Sequence, residues 1–201
     1  MHFQGELYRA LNPIYAREPL SGRGAELYGG RFNRKGTSAL YTSLSIMTAL
    51  REANQVGSLQ PTTLVSYDAD IERIFDSRDD AALRAEGMDA AALTDATWRD
   101  QMKARGEAKT QAFARRLAAA GYHGLLVTSF APGASGDDLD LVLWKWSDAA
   151  PCRLTLIDDE CRRGSAAKRF FNKALERHGR PDQAESIKAS VMTYRAQRPE
   201  T

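Results

Sequence analysis

Residues 28–53 read YGGRFNRKGTSALYTSLSIMTALREA. A glycine pair, Gly29-Gly30, is followed at once by Arg31. A short apolar strand with a tyrosine is expected over residues 39–42, then Ser43, and then a helix over residues 46–55 that carries Glu52. Ser45 has the chemistry and place of its N-cap, and Ile46, Ala49, Leu50 and Ala53 recur at the spacing of one buried face. Glu52 falls on a separate stripe with Ser45 and Thr48, so the core does not claim it. Arginine offers a planar fork to phosphate oxygens, an aromatic ring can stack on a flat base, and a carboxylate can oppose a developing cation. All three groups occur within this one segment.

Upstream, residues 5–11 alternate as a strand, with Arg9 either at the surface or projecting into a cleft as a phosphate or ribose contact. Residues 12–38 read as a long loop rich in Gly and Arg, a composition suited to close approach of backbone to a ligand. It is not a P-loop, because Lys35-Gly36-Thr37 has the wrong order. Downstream, strands are expected over residues 62–71, 124–130, 139–146 and 153–157. Helices are expected over 79–93, broken near Gly87, and over 106–120, stopped by Gly121. Trp98 sits in a polar stretch and reads as a packing anchor or a wall of a pocket, packing being favoured.

The composition bounds the class. With 201 residues, 43% hydrophobic and 27% charged, the chain has the makings of one well-cored domain with some excess. A formal net charge of +2 gives no case for nucleic acid by itself. No apolar run reaches the length of a membrane span, and MHFQGELYR lacks the pattern of a signal peptide. Cys152 and Cys161 fit no metal or redox spacing, and His2, His123 and His178 are scattered, so no metal site is expected. These features together point to a reduced, cytoplasmic setting.

Cleavage of the nicotinamide–ribose bond of NAD+ suits the residues of 28–53. The leaving nicotinamide departs neutral and needs no general acid, so one glutamate can suffice where an ordinary glycosidase needs two carboxylates. Tyr8-Arg9, Gly30-Arg31-Phe32-Asn33, Leu40-Tyr41-Thr42-Ser43, Ala49-Leu50-Arg51-Glu52-Ala53 and Gly124…Ser129 together resemble the RES-domain toxins, over roughly residues 5–157. The resemblance implies an α+β fold, a modified ADP-ribosyltransferase fold with a split mixed sheet flanked by helices. It also implies NAD+ as substrate, with ADP-ribose passing to a protein side chain, phosphate or water, protein ADP-ribosylation being favoured. An Xre-type antitoxin is the implied partner, and nucleic acid enters only through that antitoxin. By motif, Glu52, Arg31 and Tyr41 become catalytic. Arg9, Gly30, Arg31, Asn33, Tyr41, Ser43 and Ser129 become NAD+ contacts, with Thr128 and Ser135 as neighbouring candidates for the serine.

Two expectations complete the reading. Residues 161–201 depart from the resemblance as a basic helical extension, whose stretch 165–181 looks like a transposase fragment. The alternative function is a nucleic-acid-binding or RNA-cleaving toxin that uses Arg23, Arg31, Arg34 and Lys35 with the basic tail.

Overall fold

The structure, a computed structural model, describes residues 1–54 and 61–157. The expectations for the basic tail, for Cys161 and for His178 lie outside the described residues. Seven strands form one sheet: β1 (Phe3–Leu11), β2 (Leu40–Ser43), β3 (Thr63–Ile71), β4 (Ile74–Asp76), β5 (Gly124–Thr128), β6 (Leu139–Leu143) and β7 (Cys152–Leu156). Their order is β4-β5-β6-β2-β1-β3-β7, parallel between β4 and β5 and antiparallel elsewhere. β1 and β3 pair along their whole length, from Phe3–Ile71 to Leu11–Thr63. β1 and β2, by contrast, meet in a single register pair, Tyr8–Ser43. The mixed α+β sheet is therefore split at its middle, as expected, and the split separates β4-β5-β6-β2 from β1-β3-β7.

Strand alternation divides the core in two. Leu126, Leu141 and Leu143 join Leu7, Leu40, Tyr67, Ile71 and Leu154 in one apolar cluster. Their neighbours Leu125, Val127 and Val142 join Phe32, Phe75, Leu83, Phe113 and Leu117 in the other. Burial on both faces explains why residues 124–127 read as an unbroken apolar run. Truncating any of these fully buried leucines to Ala would cost about 2–5 kcal/mol.

The helices follow their local signals. α1 (Arg23–Tyr28) ends at Gly29, whose φ of 72° lies where glycine is favoured. α2 (Ile46–Ala53) starts at Ser45, whose hydroxyl accepts from Thr48 N at 3.0 Å. α3 (Asp80–Ala85) and α4 (Ala90–Thr94) are capped by Asp79 and Asp89 and separated at Gly87. α5 (Trp98–Arg105) and α6 (Lys109–Ala119) complete the set. No helix among the described residues is long and apolar enough to cross a membrane.

Several features depart from the sequence reading, among them α5, which was not expected in the polar stretch around Trp98. The expected loop over residues 12–38 contains α1 and a 3-10 turn at Pro13–Tyr15. Glycines flanking so short a helix hide its period. β4 is three residues long and carries no periodic signal. The strand expected to reach Trp146 stops at Leu143, because Trp144 and Trp146 serve the loop instead. Their indole N–H groups donate to Phe32 O at 2.9 Å and Leu20 O at 3.0 Å.

Candidate active site

A cleft of about 410 Å³ opens at the split in the sheet, and Arg9, Gly30, Arg31, Tyr41 and Glu52 line it. Five residues of the expected set thus converge from β1, the glycine-rich segment, β2 and α2.

Glu52 is half-buried near the end of α2. The hydroxyl of Ser129, just past β5, donates to Glu52 Oε1. Ser129 is itself buried, and its backbone N–H donates to Asp138 O at 2.7 Å. Ser135 is committed elsewhere, since its N–H and hydroxyl donate to Asp138 Oδ2 at 2.8 and 3.0 Å. Asp138 also receives Thr48 Oγ1 and Arg51 Nη1 from α2, each at 2.7 Å. These donors hold its carboxyl down at about pH 2, the Ser135 N–H foremost. The loop before β6 is thereby tied to the helix that carries Glu52.

Arg31 is anchored rather than free. Its Nη1 donates to Leu93 O at 2.9 Å and Asp95 O at 2.8 Å. Its guanidinium lies 4.4 Å from the Phe130 ring centroid and 5.8 Å from that of Trp98. Burial lowers its pKa most, and the nearby charge of Arg99 lowers it further. A guanidinium stays charged throughout, so an anion in the cleft would relieve this crowding of cations. Arg9 is held similarly, Nη1 donating to Pro19 O at 3.2 Å and Ser21 O at 3.1 Å.

Tyr41 presents its ring to the cleft, but its hydroxyl is spent inside the fold. It donates to Asn33 Oδ1 at 2.8 Å and accepts from Phe32 N at 3.0 Å. Burial pushes its pKa up strongly. Asn33, Ser43 and Ser129 are not among the residues that line the cleft, Ser129 reaching it through Glu52. The Asn33 amide donates to Ala25 O and Thr37 O, both at 2.8 Å, and so clamps the glycine-rich segment from within. Ser43 acts one step back, donating to Asp140 Oδ1 at 2.6 Å. Gln111, buried on α6, completes the clamp through Nε2 to Gly30 O at 2.8 Å and Asn33 O at 3.0 Å. A Cβ on Gly30 would overlap the Tyr41 hydroxyl and Asn33 Oδ1, so only glycine fits there.

Other residues of the cleft escaped the sequence reading. Asp140 on β6 lines it with only 9% exposure, and Arg99 and Phe130 form part of its wall. Trp98 fills both roles that the sequence offered for it, buried as an anchor and forming wall, with Arg99 stacked at 4.4 Å on its ring. The acidic side chain within an otherwise buried strand was the one signal for Asp140. Of the cations in the nucleic-acid reading, Arg31 is turned into the cleft, whereas Arg23, Arg34 and Lys35 are exposed. Among the described residues no three His, Cys, Asp or Glu side chains are grouped to hold a metal ion.

The RES domain family matches residues 6–160. This chain belongs to that family. A curated RES relative, "Toxin Res" of Yersinia enterocolitica serotype O:8 / biotype 1B (strain NCTC 13174 / 8081), is 44% identical over 46 residues. That match spans 23% of this chain and 30% of the relative. The fold also resembles the Mycobacterium tuberculosis MbcT-MbcA toxin-antitoxin complex, with a TM-score of 0.57 and 21% identity. The likeness covers 79% of this RES chain and 84% of the other and carries the fold alone.

Proposed function

We propose that this RES protein is the toxin of a toxin–antitoxin pair and that it consumes NAD+ by breaking the nicotinamide–ribose bond. The observation that carries the reading is the meeting of Glu52, fixed by Ser129, with Arg31 in one cleft walled by Tyr41, Trp98 and Phe130. In the reaction the C1′–N bond breaks heterolytically, and its electron pair leaves with neutral nicotinamide. The ribose becomes cation-like, and the Glu52 carboxylate stabilises that charge. Arg31 and Arg9, held by backbone carbonyls, supply a preorganised seat for the pyrophosphate. The flat aromatic walls suit the nicotinamide and ribose.

An acceptor then attacks C1′ and releases its proton. A protein side chain is the first choice, giving ADP-ribosylation, with phosphate or water as the other acceptors. Mass spectrometry of NAD+ products tests this. The purified chain is incubated with NAD+ in buffer alone, with phosphate, and with cell lysate. Free nicotinamide in any arm supports the reading, and the ADP-ribose product names the acceptor. Intact NAD+ in all three arms would overturn it.

A protein partner of the antitoxin kind, Xre-type by the motif resemblance, is part of the proposal. The named relatives, one a toxin and one a toxin–antitoxin complex, support it. A second cavity of about 510 Å³ adjoins the cleft at Arg9 and Gly24. Ile14, Tyr15, Leu27 and Tyr28 line it and are 55–71% exposed. Such apolar exposure beside a catalytic mouth suits a covering partner.

A further inference from the structure

Asp140 is a second carboxyl group in the cleft of Glu52, and the reaction proposed above does not call on it. It projects from β6 and is almost fully buried. Among the described residues Ser43 donates to its Oδ1 at 2.6 Å, and Glu52 lines the same cleft. The charged groups around it come from several elements. Glu52 faces it from α2, and Asp138, answered by Arg51, approaches from the loop before β6. Arg9, Arg31 and Arg99 line the same cleft.

Two ionised carboxylates that share one cleft repel, and a proton on one of them removes the repulsion and supplies a donor for the other. The more buried group is the one that keeps the proton. Burial first, and then the charge of Glu52, raise the Asp140 carboxyl to about 8.

We propose that Asp140 is a positioning residue: as a carboxylic acid it donates a hydrogen bond to Glu52 and, with Ser129, fixes the Glu52 side chain. Ser43 receives no proton in this arrangement. It holds Asp140 Oδ1 and leaves the other oxygen to carry the hydrogen. Above the ionisation of Asp140 the bond becomes a repulsion, and Glu52 loses that hold. The consequence for rate rests on the NAD+ reading; the protonation itself does not.

Two measurements on the full chain test it. In protein labelled with ¹³C at the aspartate carboxyl carbons, one aspartate should titrate near pH 8, and that signal should be missing from Asp140→Asn. Absence of any aspartate titrating above pH 6 would overturn the proposal. Second, kcat/KM for nicotinamide release from NAD+ is followed from pH 6 to 10. The native chain should fall through about pH 8. Asp140→Asn keeps an oxygen for Ser43 and a permanent N–H for Glu52, so it should lose the alkaline fall while losing no more than about tenfold at pH 7. Asp140→Leu should lose about a hundredfold across the range. An alkaline limb unchanged in Asp140→Asn would overturn the proposal. A native chain that releases no nicotinamide at any pH defeats the reaction instead, and the carboxyl titration still decides the role of Asp140.

Discussion

At the scale of single residues, the cleft separates groups that face a ligand from groups that hold them. Tyr41 does both. Its ring is wall, while its hydroxyl ties Phe32 N to Asn33 Oδ1. Tyr41→Phe leaves that amide oxygen and that N–H without their partner, so it should cost about 1–3 kcal/mol of stability by chemical denaturation. An unchanged midpoint would show that the hydroxyl is not part of the clamp. Ser129 bears on Glu52 directly. Ser129→Ala should lower kcat for nicotinamide release by about ten- to a hundredfold with little change in KM, because a misplaced carboxylate binds substrate but fails the transition state. A rise in KM at constant kcat would make Ser129 a binding group instead. Arg31, Tyr41 and Glu52 were legible because they lie close in sequence within short, chemically distinctive words. Asp140, Arg99 and Phe130 were not, because each comes from a distant segment and carries no local pattern that marks a ligand contact.

At the scale of elements, the helix carrying Glu52 is oriented by Asp138. Thr48 and Arg51 of α2 both donate to it, and Ser135 holds its other oxygen. Its carboxyl sits at about 2 in the folded chain, against about 3.9 when unfolded. A depressed carboxylate contributes stability above its unfolded value and loses it as pH falls through the folded one. The contribution is therefore present above pH 4 and vanishes between about pH 4 and 2. Asp138→Asn should be less stable than the native chain at pH 6, and the gap should close by pH 2. A gap that does not vary with pH would mean that the charge of Asp138 does not hold the helix. The capping serine, the glycine break between α3 and α4, and the apolar strand β5 were all readable from local chemistry. α1 and β4 were not, being too short to show a period and fixed by tertiary contacts. The clamp of Gln111, Trp144 and Trp146 on the glycine-rich segment was also hidden, since each bond ends on a backbone carbonyl that any sequence would supply.

At the scale of the whole molecule, the site follows from topology. Leaving β1 and β2 joined by one register pair opens the sheet where Arg9, Tyr41, Glu52 and Asp140 come together. Individual strands and helices were readable from local pattern, the α+β class and its split sheet came through the family likeness, and the strand order that makes the cleft was not legible, because it is set by pairings between distant segments. The cleft residues named above lie within residues 1–157. Deleting residues 165–201 should therefore leave NAD+ turnover within about twofold of the native chain. Complete loss in a folded, soluble truncation would assign the tail a part in the site. The most direct test of the whole account is release of nicotinamide from NAD+ by the purified chain, compared with Glu52→Gln of the same fold. The account predicts release by the native chain and a rate lower by about a hundredfold or more in the variant, ~3 kcal/mol of lost transition-state stabilisation. Equal rates of NAD+ cleavage, or none by either protein, would contradict it.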